Sequence, residues 1–494
     1  MSVPEADVAV LRHPGRLYIG GQWVAPSTDN VIEVIQPSTE EVFLRVAEAK
    51  EADVARAVSA ARDAFDEGPW PRMSYAERAR YMRAMAAEIR RRSEELGRIW
   101  TSQVGILQSF AVAGMASVAD TFDYYAGLAD TYPFITRHEP TNGGAVGLLV
   151  REPVGVVGAI VPWNGPANLI AYKTAPAFIA GCTVVVKASP EAPGEAYVFA
   201  EIAETVGLPA GVLNVVTADR EASESLVCDQ RVDKITFTGS TLAGKRIGSI
   251  MGGRVGRYTL ELGGKSAAVM LDDFDPGALA ASVSASAALM TGQVCAALTR
   301  IVVSRRRHGE VLDALGAAMS AIKVGDPFEP ASQMGPLAMS RQRDRVEYYI
   351  STAIRDGGAI VTGGGRPAEL DRGYYIEPTV VAGVDSSSTI AQEEIFGPVL
   401  TVLAADDDDD AVRIANDTIF GLNASVFTND TDRALAVAGR LRSGTVGHNA
   451  QRTDFGIAFG GFKQSGVGRE GGVEGLLPFL ESKTIILESE PSKS

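Results

Sequence analysis

Short apolar runs that alternate with helical patterns constrain the fold of this chain more than any other feature. The runs are rich in β-branched residues and cover residues 154–161, 182–186, 211–216 and 234–237. Longer helical patterns, such as residues 195–206, separate them. Strand and helix in alternation require right-handed crossovers, which build a parallel sheet covered by helices on both faces. A second alternating section, from about Ser266 to beyond Val399, predicts a further α/β unit.

The N-terminal part predicts a hairpin followed by helices. Residues 16–24 contain two short apolar segments around Gly20 and Gly21, a pattern typical of a tight β-turn. From Glu51 the apolar residues recur at helical spacing, so this segment predicts a helix with one side facing a core. A long helical region is expected from about Tyr75 to Val112.

The composition limits the possible classes of protein. A chain of 494 residues is too long for one core, so about two or three domains are expected. The 61 acidic and 46 basic side chains give a formal charge of −15, which repels polyanions and argues against nucleic acid as a partner. Three cysteines form no disulfide framework, and the four histidines lie in no metal-binding pattern. We therefore expect a reducing compartment and no bound metal.

No segment predicts export or a membrane span. The N-terminus, Met1–Val8, is acidic and lacks an apolar core of secretory length. The most apolar stretch, Val154–Trp163, has about ten residues, whereas a membrane helix needs about 20. A cytoplasmic protein without a membrane partner is the expectation. The polar tail, residues 489–494, is expected to fray.

Five consecutive aspartates at residues 406–410 predict the start of a helix. Carboxylates are stabilised at the positive end of a helix dipole, so the helix is expected to begin near Ala411. The alternative is a cation site, which is disfavoured because regular ligand spacing is missing.

Cys295 is the candidate nucleophile. Gly292 frees the backbone upstream of it, Gln293 is polar, and Ala296 and Ala297 leave space around the sulfur. A thiolate in such a place can attack an electrophilic carbonyl. The alternative is an inert buried cysteine, since free cysteine usually behaves as a small apolar residue. On this segment alone the inert cysteine is the commoner case. Whether Cys295 is a nucleophile must therefore be judged from other residues of the sequence.

Asn164 and Glu261 offer two further chemical groups. Asn164 follows a strand in a turn rich in Pro and Gly, where its amide can donate to an oxygen that gains negative charge. The alternative is that Asn serves the turn itself. Glu261 ends an apolar strand, so desolvation is expected to raise its pKa toward that of a useful base. The alternative is a strand residue that faces solvent.

The cofactor signals are unusual. The Gly-x-Gly-x-x-Gly fingerprint is missing, but the strand at residues 235–238 leads into Gly239 and a helix, an arrangement suited to pyrophosphate. A nucleotide triphosphatase is disfavoured, because Arg246 stands where a P-loop needs Ser or Thr. Lys187 follows another strand directly and is a candidate ribose donor. A plain strand-helix turn and a surface lysine are the respective alternatives.

Taken together and in this order, the motifs resemble those of the aldehyde dehydrogenase superfamily. The resemblance extends from the hairpin near Gly20 to Lys483. The matching segments are Pro162–Asn164, Lys187–Ser189, Phe237–Ser240, Glu261–Lys265, Gly292–Cys295, Glu393–Pro398, Asn416 with Phe420–Asn423, Phe459–Lys463 and Ser465–Glu470. So many segments in register are very improbable by chance.

The resemblance implies a role for each matching residue. Cys295 would form a thiohemiacetal with an aldehyde, and Asn164 with the Cys295 backbone N–H would stabilise the oxyanion. After hydride transfer to NAD, Glu261 would activate water to hydrolyse the thioester. The implied cofactor-binding residues are Trp163, Lys187 at the adenosine ribose, Gly239 and Ser240 at the pyrophosphate, Glu394 at the nicotinamide ribose and Phe396 beside it.

The resemblance also implies an architecture. A Rossmann-like dinucleotide-binding domain would comprise residues 1–127 and 152–263, and an α/β catalytic domain residues 264–479. A small β element for oligomerisation, residues 128–151 and 480–494, would bridge subunits into a homotetramer, with a dimer as the alternative.

Several positions depart from the family pattern. Many NAD-using relatives place Glu three residues after the ribose lysine, where this chain has Pro190, with Glu191 one residue later. NADP is therefore the alternative cofactor to NAD.

Gly165 replaces an aromatic residue of the substrate tunnel, so a roomy apolar site for medium or bulky aldehydes is expected. Tyr172 and Phe459 fall on tunnel positions, and His448 either lines the entrance or packs, with packing favoured.

Alternative functions differ in the fate of the cysteine adduct. A non-redox thiol esterase or hydrolase would use Cys295 without the cofactor segments. A dehydrogenase that passes the acyl group to coenzyme A typically lacks the carboxylate at Glu261, because a thiol resolves its thioester. A binding protein that retains only the fold is disfavoured by intact Asn164, Glu261 and Cys295.

Overall fold

A computed structural model describes residues 11–491, and within them the predicted alternation of strands and helices is present. The strands are β1 (Leu17–Ile19), β2 (Gln22–Val24), β3 (Val31–Gln36), β4 (Glu41–Ala47), β5 (Ile135–His138), β6 (Val146–Pro153), β7 (Val156–Ile160), β8 (Thr183–Ala188), β9 (Leu213–Thr217), β10 (Lys234–Thr238), β11 (Arg257–Glu261), β12 (Ser266–Met270), β13 (Leu298–Ser304), β14 (Ala359–Thr362), β15 (Thr379–Ala382), β16 (Val399–Ala405), β17 (Asn423–Phe427), β18 (Thr445–His448), β19 (Gly466–Val467) and β20 (Leu480–Leu487). The expectations for Met1–Val8 and for the end of the tail, residues 492–494, lie outside the described residues.

Fifteen α-helices alternate with these strands within the described residues 11–491. They are α1 (Glu51–Asp66), α2 (Tyr75–Arg91), α3 (Ser93–Val104), α4 (Gln108–Thr131), α5 (Pro166–Ala180), α6 (Gly194–Thr205), α7 (Arg220–Cys228), α8 (Thr241–Gly253), α9 (Pro276–Ala288), α10 (His308–Ser320), α11 (Ser340–Arg355), α12 (Thr389–Gln392), α13 (Asp408–Asn416), α14 (Thr431–Ala438) and α15 (Gly472–Leu476). None of the helices described combines the length and the apolar character that crossing a membrane requires.

The first large sheet has the strand order β19-β11-β10-β7-β8-β9-β1-β2. Strands β7 to β11 run parallel, which confirms the parallel sheet predicted from the four apolar runs. The predicted hairpin forms one edge as β1 and β2. Register places Thr238 beside Glu261 and Ile160 beside Lys187. The carboxyl ends of these strands therefore bring Lys187 and Glu261 to one edge of the sheet.

Helices cover both faces of this sheet, as its apolar strands require. Val184 and Val186 of β8 pack with the core formed by α2 to α6, whereas Val185 packs with the core beneath α1, α7 and α8. Successive strand residues point to opposite faces, so a strand buried on both sides has an almost continuous apolar sequence.

The remaining strands form a second α/β layer and two small antiparallel sheets. The second large sheet has the order β14-β15-β16-β13-β12-β17-β18 and is parallel apart from β14, which confirms the second α/β unit. Strands β20, β6 and β5 form a separate three-stranded antiparallel sheet. Strands β3 and β4 pair with each other.

Two predicted helix boundaries differ from the structure. The long helical region expected over residues 75–112 is divided into α2, α3 and the start of α4. Arg92 leaves the helical conformation with ψ 18° and separates α2 from α3, and Gly105 adopts φ +82° and ends α3. Helix α13 begins at Asp408 rather than near Ala411. Its start is earlier because the Asp407 side chain accepts a hydrogen bond of 2.8 Å from the Asp410 backbone N–H, so the aspartates cap and begin the helix.

Candidate active site

Cys295 lies in a constrained loop between α9 and β13. Met290, Thr291 and Gly292 have consecutive positive φ values of 51°, 55° and 68°. A Cβ atom at Gly292 would lie 2.3 Å from the carbonyl carbon of Gly397, so only glycine fits there. The Thr291 hydroxyl donates to the Gly335 carbonyl at 3.0 Å. Such strained backbone persists only where its surroundings enforce it, and it fixes the position of Cys295, the candidate nucleophile.

The surroundings of the Cys295 sulfur are largely apolar. The side chain is half-buried and packs beside a small cluster that includes Phe459 and Ala296. Burial raises the pKa of the Cys295 thiol, and the charges of Glu394 and Glu261 raise it further. The resting sulfur is therefore a protonated thiol, and nucleophilic attack requires that its proton leave.

Glu261 is buried at the end of β11, with 2% of its surface exposed. Neither carboxylate oxygen has a hydrogen-bond partner among the residues that the structure describes. Burial raises the pKa of Glu261, Glu470 raises it further, and Lys173 opposes this increase. The prediction of a desolvated carboxyl group is confirmed, and the alternative of a strand residue that faces solvent is wrong.

Lys173 and Glu470 form a buried ion pair that sequence reasoning did not assign to the site. Lys173 is fully buried on α5, bonds to Glu470 and donates to the Thr238 hydroxyl at 2.7 Å. The second carboxylate oxygen of Glu470 has no partner within residues 11–491. Glu470 ends the segment Ser465–Glu470, which resembles the family pattern, but nothing in the apolar sequence of α5 indicated Lys173 as its partner.

Asn164 contacts the loop that carries the nucleophile. Its side-chain N–H donates to the Gln293 carbonyl at 3.0 Å, two residues before Cys295. Gln293 is itself fixed, because its side chain accepts from the Ala338 N–H at 3.0 Å and donates to the Met290 carbonyl at 3.1 Å. The amide of Asn164 carries a second N–H, which leaves one donor for a ligand oxygen.

The Gly263–Gly264 turn brings Glu394 close to the nucleophile. The Gly264 N–H donates to the Glu394 carboxylate at 3.0 Å. A Cβ atom at Gly264 would lie 2.4 Å from the Cys295 carbonyl oxygen. Burial raises the pKa of Glu394 to about 7. Beyond it, Phe396 adopts φ +63° and packs edge-to-face on Trp163 with 5.5 Å between ring centroids. The structure thus brings together Cys295 and the carboxyl groups of Glu261 and Glu394.

A cleft of about 550 Å³ lies at the carboxyl edge of the first sheet, and Lys187 and Ser240 line it. Ser240 caps α8 by accepting a hydrogen bond of 3.2 Å from Ala243, so the cleft contains a helix N-terminus. A Cβ atom at Gly239 would lie 2.5 Å from the Phe237 ring. Lys187 is only 8% exposed, which excludes the surface-lysine alternative, and burial lowers its pKa to about 8. A cation and a helix N-terminus in one cleft fit the phosphate and ribose groups of a dinucleotide.

Glu191 lines the same cleft, although Pro190 displaces it by one residue. The Ser189 hydroxyl and the Arg341 guanidinium both bond to its carboxylate. Burial raises the pKa of Glu191, but these two bonds outweigh the effect and the pKa lies below its ordinary value. The cleft therefore contains a carboxylate that is ionised at neutral pH.

Aromatic rings form a wall next to the nucleophile. Tyr172 stacks on Phe455 with 3.8 Å between centroids, and Phe455 stacks on Phe459 at 4.5 Å. His448 bonds to the Thr428 carbonyl at 3.0 Å, which agrees with the prediction that it packs. Phe455 was not singled out from the sequence, because it lies in an irregular segment without periodicity.

Comparison with known proteins identifies the family. The model of the aldehyde dehydrogenase family matches residues 23–485. The chain is 42% identical over 474 residues to geranial dehydrogenase of Castellaniella defragrans, an alignment that covers 95% of this chain and 98% of that protein. An aldehyde dehydrogenase structure from Mycobacterium tuberculosis, complexed with NAD+, superposes with a TM-score of 0.93 at 42% identity and covers 96% of this chain and 98% of that one.

A further solved structure holds an aldehyde as well as the cofactor. A mutant of aldehyde dehydrogenase C from Pseudomonas syringae, complexed with NAD+ and octanal, superposes with a TM-score of 0.92 at 39% identity. That match covers 97% of this chain and 98% of the other. Because the family model and these relatives match almost the whole length of the sequence, this chain belongs to the aldehyde dehydrogenase family.

Proposed function

We propose that this aldehyde dehydrogenase oxidises medium-sized or bulky apolar aldehydes to carboxylic acids with NAD, through a Cys295 thioester that water hydrolyses. The observation that carries the proposal is the Glu261 carboxyl group, which is buried, unpartnered among residues 11–491 and close enough to raise the pKa of the Cys295 thiol. A desolvated carboxylate next to a thioester is suited to activate water. This arrangement disfavours the coenzyme A acylating reaction, and the cleft lined by Lys187 and Ser240 disfavours a simple thiol esterase, which needs no dinucleotide.

The first step is the attack of the Cys295 sulfur on the aldehyde carbon. A C–S bond forms, and the carbonyl oxygen gains negative charge while it accepts hydrogen bonds from Asn164 and the Cys295 N–H. Because burial raises the pKa of the thiol, its proton must be accepted, and Glu261 and Glu394 are the two carboxyl groups whose charges act on it. A bound nicotinamide dinucleotide supplies the acceptor for the hydride that leaves the adduct.

The second half of the reaction releases the acid. Glu261 accepts a proton from water, whose oxygen attacks the thioester carbon, and the C–S bond breaks to regenerate Cys295. Lys187 would hold the adenosine ribose, Gly239 and Ser240 the pyrophosphate, and Glu394 the nicotinamide ribose. Trp163 and Phe396 would pack against the nicotinamide end.

The wall beside Cys295 supports the proposed substrate class. Gly165 has no side chain, and the stacked rings of Tyr172, Phe455 and Phe459 present an apolar surface. Apolar surface gains about 25 cal/mol per Å² when it leaves water, so long or bulky hydrocarbon groups bind here better than short ones. A relative named geranial dehydrogenase and a similar structure that binds octanal support an apolar aldehyde.

NAD is the proposed cofactor because similar structures are complexed with NAD+ and because Glu191 is anionic in the cleft. A carboxylate accepts hydrogen bonds from ribose hydroxyls and repels a 2′-phosphate.

The architecture proposed from the family places residues 1–127 and 152–263 in the dinucleotide-binding domain, 264–479 in the catalytic domain, and 128–151 with 480–494 in the oligomerisation element. Sheet membership supports this division, although β19 joins the first sheet and β6 crosses the boundary at residue 151. We also propose a homotetramer in the cytoplasm. The three free cysteines support a reducing compartment.

Nucleotide reduction tests the function directly. Catalytic efficiency with NAD should rise from acetaldehyde to octanal and to bulky aldehydes. In Glu261→Gln, hydride transfer should give a burst of reduced nucleotide, followed by a steady-state rate that is about 10²- to 10⁴-fold lower, because the thioester waits for a base. An unchanged steady-state rate without acyl-enzyme would refute the role of Glu261. A preference for acetaldehyde would refute the substrate class.

A further inference from the structure

We propose that Trp100, on α3, is a positioning residue that holds the oxyanion donor Asn164 in place. The inference rests on the proposed function of Asn164. The Trp100 indole N–H donates to the Asn164 backbone carbonyl at 2.9 Å. Only 2% of the Trp100 surface is exposed, so solvent does not compete for this bond. By contrast, the indole N–H groups of Trp23 and Trp70 are buried without partners among residues 11–491.

The turn after Asn164 needs an external restraint. Its next residue, Gly165, has φ −149° and ψ 62° and no side chain that limits rotation. Glycine loses more conformational freedom on folding than any other residue, so a glycine turn holds a defined shape only when neighbours impose it. The Trp100 ring lies 3.9 Å from the point where a Cβ of residue 165 would stand. The indole thus both packs against the turn and bonds to it.

Helix α3 also fixes the far end of the same turn. Gln103, one helical turn after Trp100, donates to the Glu195 carboxylate at 2.6 Å. The other oxygen of Glu195 accepts a bond of 3.4 Å from the Ala167 N–H at the start of α5. Gln103 accepts in turn from the Gly194 N–H at 3.1 Å. Residues 164–167 are therefore held from α3 at both ends.

The position of the Asn164 backbone determines where its amide points. The amide bridges to the Gln293 carbonyl, and Gln293 lies two residues before Cys295. A hydrogen bond to a developing oxyanion is effective only in the correct geometry, and a displacement of about 1 Å can cost about 100-fold in rate. A loss of the Trp100 bond should therefore appear as reduced catalysis even though Trp100 does not touch the substrate.

The test is a double-mutant cycle with Trp100→Phe and Asn164→Ala. Trp70→Phe is the matched control, because it deletes the same ring atoms from a buried tryptophan whose N–H has no partner in the described part of the chain. We expect W100F to lower kcat about tenfold or more, with an unchanged KM for NAD. W70F should leave kcat within about twofold of the parent. In the N164A background W100F should add less than about twofold, because no amide is left to position.

The outcomes separate the inference from the proposed function. If N164A leaves kcat unchanged, the oxyanion role of Asn164 fails and the inference fails with it. If N164A lowers kcat but W100F does not, or if the two losses multiply in full, only the role of Trp100 is overturned. Should W100F fold poorly, 3-benzothienylalanine at position 100 keeps the fused rings but has sulfur in place of the N–H donor, and it should reproduce the loss of kcat.

Discussion

Two buried charged residues, Glu470 and Lys173, influence the pKa of the proposed base Glu261. Glu470 raises the pKa of Glu261 and Lys173 lowers it, with Glu470 acting more strongly. Lys173 itself is held by Glu470 and by the Thr238 hydroxyl. A general base works in its ionised form, so with Glu261 as the proposed base the acidic limb of the rate profile should report its pKa. That limb should then depend on residues that do not touch the substrate.

Glu470→Gln should move the acidic limb of the kcat profile to lower pH. The substitution removes the charge that raises the pKa of Glu261, so the base becomes ionised at lower pH. The remaining charge of Lys173 acts in the same direction, because it lowers the pKa of Glu261. The measurement is kcat against pH at saturating aldehyde and NAD.

Glu201→Gln is the control for the loss of a buried ion pair. Glu201 bonds to Arg92 at 2.6 Å and, like Glu470, is buried. Both variants should lose stability, E470Q by about 3–5 kcal/mol because the buried Lys173 loses its carboxylate partner, and E201Q by less because Arg92 keeps its bonds to Glu95. Only E470Q should shift the pH profile. If the acidic limb of E470Q moved to higher pH, Glu470 would not raise the pKa of Glu261.

Glu191→Gln should reduce the preference for NAD over NADP. The pKa of Glu191 lies below its ordinary value, so the side chain is anionic at neutral pH and repels a 2′-phosphate. Glutamine removes that charge and leaves Arg341 and Lys187 free to attract the phosphate. The ratio of kcat/KM for NAD to that for NADP should fall about tenfold, which corresponds to about 1.4 kcal/mol. Glu224→Gln, in the same cleft, is the control. If E224Q changes the ratio and E191Q does not, the ribose lies elsewhere.

At the scale of single residues, the sequence predicted reactive side chains better than it predicted the residues that bond to them. The sequence indicated Cys295, Asn164 and Glu261 as candidates because their residue types carry distinctive chemistry next to strand ends. It did not indicate Lys173 or Trp100. Each contacts a residue far away in sequence, Glu470 or Asn164, and such contacts depend on how helices pack on the sheet.

At the scale of elements, glycines let three backbone segments meet at the site. The Gly263–Gly264 turn lies against the Cys295 carbonyl, and Gly292 lies against Gly397. The sequence predicted the strands and most helices around these turns because apolar periodicity marks them. It did not predict the left-handed conformation at Met290 and Thr291, since neither residue type favours positive φ and tertiary contacts impose it.

Gly264→Ala should inactivate the enzyme and destabilise it. The new Cβ would lie 2.4 Å from the Cys295 carbonyl oxygen, a backbone atom that can move only if the nucleophile loop moves. The free energy of unfolding should fall by about 1–3 kcal/mol. Gly252→Ala on α8 is the control, because no atom lies within 4 Å of its added Cβ. That variant should keep full activity. An active G264A with unchanged thermal stability would show that the loop is not fixed by this contact.

At the scale of the whole molecule, the proposed active site lies between the two large sheets. The first sheet contributes Glu261 from the end of β11, whereas Cys295 precedes β13 and Glu394 precedes β16 of the second sheet. The edge of one sheet thus meets the loops of the other, and the reacting groups depend on how the two layers pack. The sequence predicted both layers separately, but the alignment of one against the other follows from packing that no local pattern encodes.

The three-stranded sheet allows a test of the proposed tetramer. Its order β20-β6-β5 leaves β20 and β5 at the edges, and edge strands can pair with another chain. Ile486 on β20 and Ile135 on β5 are 57% and 58% exposed, so both edge strands present apolar side chains. Ile486→Asp should therefore place a charge in the subunit interface. In sedimentation velocity the variant should form smaller species, and its apparent mass should fall further on dilution.

Leu435→Asp on α14, where the leucine is 73% exposed, is the control and should leave the apparent mass unchanged. Dissociation by L435D but not by I486D would move the interface away from this sheet.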